Sequence, residues 1–75
     1  MNINIIKIAA DALNISFDEA EHNQKRLSEL GATYFWNKKR GGLAVIVSDN
    51  GDKLVAVSAV SFEEHVDAFK SGKRN

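Results

Sequence analysis

The chain of 75 residues has no cysteine and no proline. Without cysteine there is no disulfide framework and no thiolate metal site. That fits the reducing cytoplasm, the compartment expected for it. No proline-rich or low-complexity run marks a linker, and the length is that of one domain spanning residues 1–75. Net charge is also missing: ten cations balance ten anions. The chain therefore exerts no global pull on nucleic acid or membrane. No run approaches the ~20 apolar residues of a membrane span. The opening "MNINIIKIAADAL" lacks a basic leader and a small-residue cleavage site, so it reads as part of the fold and not as a signal peptide.

Catalytic signatures are scarce too. There is no nucleophile elbow and no Gly-rich phosphate loop, and "SGK" at Ser71–Lys73 lacks the earlier Gly of a Walker motif. The histidines are His22 and His65. His22 follows Asp18 and Glu19 within one helical turn, a spacing that could bind a metal. A surface histidine in a helical charge ladder accounts for it equally. His65 borders an apolar stripe and reads as packed against a sheet. A chain this short has little room for both a core and a pocket. The expectation is a protein that is not an enzyme and uses no cofactor and no metal.

What remains is a pattern of helices and strands. "INIIKIAADALN" places Ile5, Ile6, Ile8, Ala9, Ala12 and Leu13 on one helical face. "ISFDE" and "VSFEE" are near copies, and each is a capping box in which Ser16 or Ser61 caps and Glu19 or Glu64 reaches back. The second helix is expected from Phe17 to Leu30, ending at Gly31, and the last from Phe62 to Lys70. Three strands are expected between them, in "ATYFWN", "LAVIVS" and "KLVAVSAV". Asn50-Gly51 signals a two-residue hairpin turn, which would set Val47 opposite Leu54 and Val45 opposite Ala56.

The predicted fold is α+β, a three-stranded antiparallel meander packed with helices in the order α-α-β-β-β-α. Its predicted core is Ile5, Ile6, Ala9, Leu13, Phe17, Leu27, Leu30, Phe35, Val45, Val47, Val55, Val57, Val66 and Phe69. Both faces of the predicted hairpin are apolar, whereas a small antiparallel sheet usually keeps one face wet. Either helices cover both sides or one face meets a partner.

"YFWNKKRGG" at 34–42 runs three aromatics into three cations. Tyr34, Trp36, Lys38, Lys39 and Arg40 form the candidate surface for nucleic acid or a protein partner. Aromatics beside cations can stack bases and hold phosphates. An aromatic strand entering a solvated loop is the simpler account. Whether Tyr34 and Trp36 share a face with Val45 or with Ile46 depends on loop length.

"IAADALNIS" followed by "FDEAEHNQKRLSELGA" resembles the winged helix–turn–helix family of DNA-binding domains over residues 8–47. Ala10, Leu13, Asn14, Ile15 and Ser16 match its turn. Ala20, Leu27 and Gly31 match its second helix, and "KKRGG" would be the wing. The resemblance implies DNA binding, although Asp18, Glu19 and Glu21 would then face phosphates. The reading preferred from the residues is a small non-catalytic interaction module. It would bind a protein partner, a second copy of itself included, through an apolar sheet face. The alternative is a nucleic-acid binder using the Lys38-Lys39-Arg40 loop with the neighbouring aromatics.

Overall fold

A computed structural model of the chain describes residues 4–37, 43–57 and 59–74. The elements run α1 (Ile5–Leu13), α2 (Phe17–His22), β1 (Gln24–Leu27), a 3-10 turn (Ser28–Leu30), β2 (Ala32–Trp36), β3 (Ala44–Ser48), β4 (Lys53–Ala56) and α3 (Phe62–Lys70). The strands form one antiparallel sheet in the order β1-β2-β3-β4. The α+β class and the antiparallel meander hold, but the sheet has four strands, not the expected three.

The extra strand comes out of the expected second helix. Ser16 caps α2 by accepting from the Glu19 N–H at 3.1 Å. The helix then stops at His22, and Asn23 leaves helical geometry at φ −104°, ψ 60°. The reason is visible in the stripe. Between Ala20 and Leu27 no apolar residue occupies the helical face. Gln24–Leu27 pairs instead with β2, placing Leu27 against Ala32 and Lys25 against Tyr34. Pairing and burial override the helix preference of Gln, Lys, Arg and Leu. Gly31 does end a helical segment, in the left-handed region at φ 59°, but that segment is only the 3-10 turn.

The hairpin register differs from expectation by one residue. Val45 lies opposite Val55, Ile46 opposite Leu54 and Ala44 opposite Ala56. Ser48 N–H donates to the Asp52 carbonyl at 2.7 Å, and Gly51 N–H to the Ser48 carbonyl at 3.0 Å. Gly51 sits at φ 99°. The loop is thus three residues long, with glycine at its positive-φ position, a common alternative to the two-residue turn.

This register sorts the core into two layers. Val45, Val47 and Phe35 face α1 and α2, where they pack with Ala9, Ala10, Leu13 and Ala20. Ile46, Leu54 and Ala32 face α3 and pack with Phe69. Helices therefore lie on both faces of the sheet. At Ser61 and Glu64 both bonds of the capping box form, which starts α3 where expected. Two residues of the expected core stand outside it, Phe17 at 44% exposure and Val57 at 55%. Phe17 is the first residue of α2, and Val57 lies just past the end of β4.

Truncating Phe35, which is fully buried, to Ala should lower unfolding free energy by about 3–5 kcal/mol. Phe17→Ala should cost less than about 1 kcal/mol. Urea denaturation of both variants checks this layering, and equal losses would contradict it.

Candidate interaction surface

Strand alternation places Ala32, Tyr34 and Trp36 on the α3 side of β2, with Thr33 and Phe35 on the other. Tyr34 pairs with Ile46 and Trp36 with Ala44. The question of which β3 residue shares their face is thus decided for Ile46. Helix α3 covers Ile46 and Leu54 through Phe69 and Val66, and its first residue, Phe62, reaches Tyr34.

The result is a row of rings. Tyr34 and Trp36 stack with centroids 5.8 Å apart and planes 29° from parallel. Phe62 meets Tyr34 edge-on at 4.8 Å. Both geometries favour the ring quadrupoles. Lys25, directly across the strand pair from Tyr34, holds its ammonium 5.1 Å from the Phe62 centroid. Phe62 remains 37% exposed, and Tyr34 and Trp36 are half-buried. Burial raises the Tyr34 phenol above its ordinary pKa, so it is a neutral hydrogen-bonding group at neutral pH.

Beneath the row lies His65, buried, with its ring 5.8 Å from that of Tyr34. Its Nε2 is 2.7 Å from the Leu54 carbonyl. A carbonyl only accepts, so Nε2 carries the proton and donates. His65 is a structural pin between α3 and β4, in keeping with its expected packing.

The structure thus brings Tyr34 and Trp36 together. Lys38, Lys39 and Arg40 lie outside the described residues. Lys25 and Phe62 are the members that sequence reasoning missed. Phe62 was within reach, because the Ser61 cap fixes it at the start of α3. Lys25 required recognising β1. Arg74 does not join this row. The Arg74 guanidinium stacks on Phe69 at 3.6 Å and donates to the Phe69 carbonyl, and Arg74 shares a recess with Ser48, Asp49 and Asp52 at the opposite end of β3 from Ala44.

The His22 ring folds back on its own helix. Nδ1 lies 2.7 Å from the Asp18 carbonyl, to which it donates. Among the described residues no group of three or more His, Cys, Asp or Glu is placed to hold a metal ion. The neighbouring Asn23 is buried, and its Nδ2 has no hydrogen-bond partner. Among the described residues no helix is long and apolar enough to cross a membrane.

On the other sheet face, Arg26 forks onto Asp49 with two bonds of 2.7 Å. It also donates to the Thr33 hydroxyl at 3.2 Å. The hydrogen bonds from Arg26 hold the Asp49 carboxyl below the usual carboxylate range and raise the Arg26 guanidinium. No protein-family model, curated protein or solved structure matches the chain.

A depressed folded-state carboxyl contributes stability above its unfolded pKa and loses that contribution as pH falls through its folded value. Carboxyl-detected NMR titration should place Asp49 below the ordinary aspartate range. Asp49→Asn should flatten the acid limb of the stability profile, and an unchanged limb would refute the assignment.

Proposed function

We propose that this chain is a small, non-catalytic cytoplasmic module that binds a protein partner, a second copy of itself included. The contact surface is the end of the α3-side sheet face that α3 leaves open. One observation carries the reading: helices pack on both faces, while Trp36, Tyr34 and Phe62 form a partly exposed ring row. Val57 is also exposed and directly follows Ala56, which is in register with Ala44 beside Trp36. Amphipathic rings half-covered at a surface are the usual anchors of protein interfaces. Both apolar faces are explained chiefly by burial under helices, so the interface is one end and not a whole face.

A second reading has its own support. Stacked Tyr34 and Trp36 on a central strand, with Lys25 alongside, suit base stacking and phosphate contact. Lys38, Lys39 and Arg40 follow within four residues of Trp36. The winged helix–turn–helix likeness belongs to this reading. The balanced charge and the carboxylates of α2 weigh against it.

Trp36 is the sole tryptophan, so its fluorescence reports on this surface directly. Single-stranded DNA should leave it unchanged at low and moderate salt. Sedimentation over a concentration series should show association that Trp36→Ser weakens at least tenfold if the partner is a second copy. A quench by DNA that fades with salt, and is lost when Lys38, Lys39 and Arg40 become Ala, would replace the first reading by the second.

A further inference from the structure

We propose that the cleft between β1 and α3 receives an extended peptide segment of a partner protein. The segment pairs with the free edge of β1 and carries carboxylates on either side of an apolar residue. This rests on the protein-binding reading above and names the class of partner.

The edge comes first. β1 is the outermost strand at one side of the sheet, and Gln24, Lys25 and Arg26 are exposed. Trp36 N–H donates to the Asn23 carbonyl at 3.2 Å. In an antiparallel ladder, bonded and non-bonded pairs alternate. Bonding at 23 and 36 therefore continues at Lys25 with Tyr34 and at Leu27 with Ala32. The N–H and C=O groups of Gln24 and Arg26 consequently point away from β2. That row of outward donors and acceptors is what an added strand uses.

The cleft lies beside that edge and measures about 280 Å³. Leu27, Leu30, Phe62 and Val66 give it an apolar floor. Lys25 sits at the Phe62 end, where its ammonium meets the ring. Lys70 also lines the cleft and is eight residues further along α3. At the helical rise that separation is about 12 Å. The third lining cation, Arg26, is already paired with Asp49. Glu29 is the one carboxylate of the lining. Lys25 and Lys70, neither of them in an ion pair among the described residues, therefore stand toward opposite ends of an apolar floor.

Those dimensions select the occupant. In a strand, residues i, i+2 and i+4 share a face, and i to i+4 spans about 13 Å. Carboxylates at i and i+4 reach the two lysines while an apolar i+2 meets the floor. Pairing with β1 of a second copy is disfavoured, because it would set Lys25 and Arg26 against their own kind. The charge pattern thus points to a different chain.

The test is an amide-resolved NMR titration of the intact protein with a synthetic peptide of core Glu-Thr-Val-Thr-Glu. Three further peptides accompany it. One carries Lys for both Glu, and two carry N-methyl groups on one or the other alternating set of amides. Shifts are expected at residues 24–27 and 62–70. The Lys peptide and one N-methyl peptide should bind at least tenfold more weakly, while the other N-methyl peptide binds normally. Lys25 and Lys70 are exposed, so the Lys25→Glu, Lys70→Glu double variant should keep its dispersed spectrum and now prefer the Lys peptide. Equal binding of both N-methyl peptides would overturn strand pairing, and equal binding of the Lys peptide would overturn the charge match. Shifts confined to Trp36 and Tyr34, or none at millimolar peptide, would overturn the cleft. Association that Trp36→Ser weakens would still uphold the module reading in either case.

Discussion

Everything in this small fold hangs on the three-residue loop Asp49-Asn50-Gly51. Gly51 takes a positive φ that other residues resist, and this lets Ser48 pair with Asp52. The Ser48 hydroxyl donates to the Asn50 side chain and accepts from Asp52 N–H at 3.0 Å, which closes the loop from inside. The register that results sends Val55 to the α1 side and Leu54 to the α3 side. A loop one residue shorter would exchange them, since the side-chain period of a strand is two. The same loop also anchors the far edge of the sheet. Asp49 N–H donates to the Gly31 carbonyl at 2.9 Å, and the Asp49 carboxylate holds the Arg26 fork. Hairpin register, the turn before β2 and the edge strand β1 therefore share one support.

From that register follows the three-layer arrangement, and from the arrangement the surface. A domain of this size buries only about 60% of its unfolded area, so the layers must close tightly. Ala9, Ala10, Ala20 and Ala32 are buried and small, which lets α1 and α2 approach one face and α3 the other. Helix α3 has nine residues and is about 13.5 Å long. It lies over Ala32, Ile46 and Leu54 and begins only at Phe62, leaving the Trp36 end of β2 half-covered. The open aromatic row is thus a consequence of helix length and strand phase together.

Much of this was legible in the residues, and the failures have physical reasons. Both serine caps and the last helix could be read because capping chemistry is local. The aromatic strand and its partner could be read because β-branched and aromatic runs are bounded by turns. β1 was hidden, since Gln-Lys-Arg-Leu is helix-prone and becomes a strand only through Ala32–Phe35. The hairpin register was hidden because Asn-Gly serves loops of two and of three residues alike. Phe17 and Val57 were assigned to the core on hydrophobicity, whereas both sit at element ends where packing is one-sided. Of the candidate site, Tyr34 and Trp36 were legible from strand composition, while Lys25 needed the hidden strand.

The charge on β1 serves two purposes that pull in different directions. An open edge strand invites any other strand, and cations on it are a common protection against self-pairing. Lys25 and Arg26 supply that protection here, but they do not share a fate. Arg26 turns to the α1 side and is held by Asp49, so its charge is spent within the fold. Lys25 turns to the α3 side and stays beside the apolar cleft. One cation therefore fixes the edge in place while the other marks it. Such an edge rejects its own kind by like charge and accepts a carboxylate-bearing strand by attraction, which is how selectivity arises from repulsion and attraction acting at one place. In the proposed complex the charge would contribute mainly to the choice of partner, and the binding energy would come from the backbone pairing and from the apolar floor of Leu27, Leu30, Phe62 and Val66.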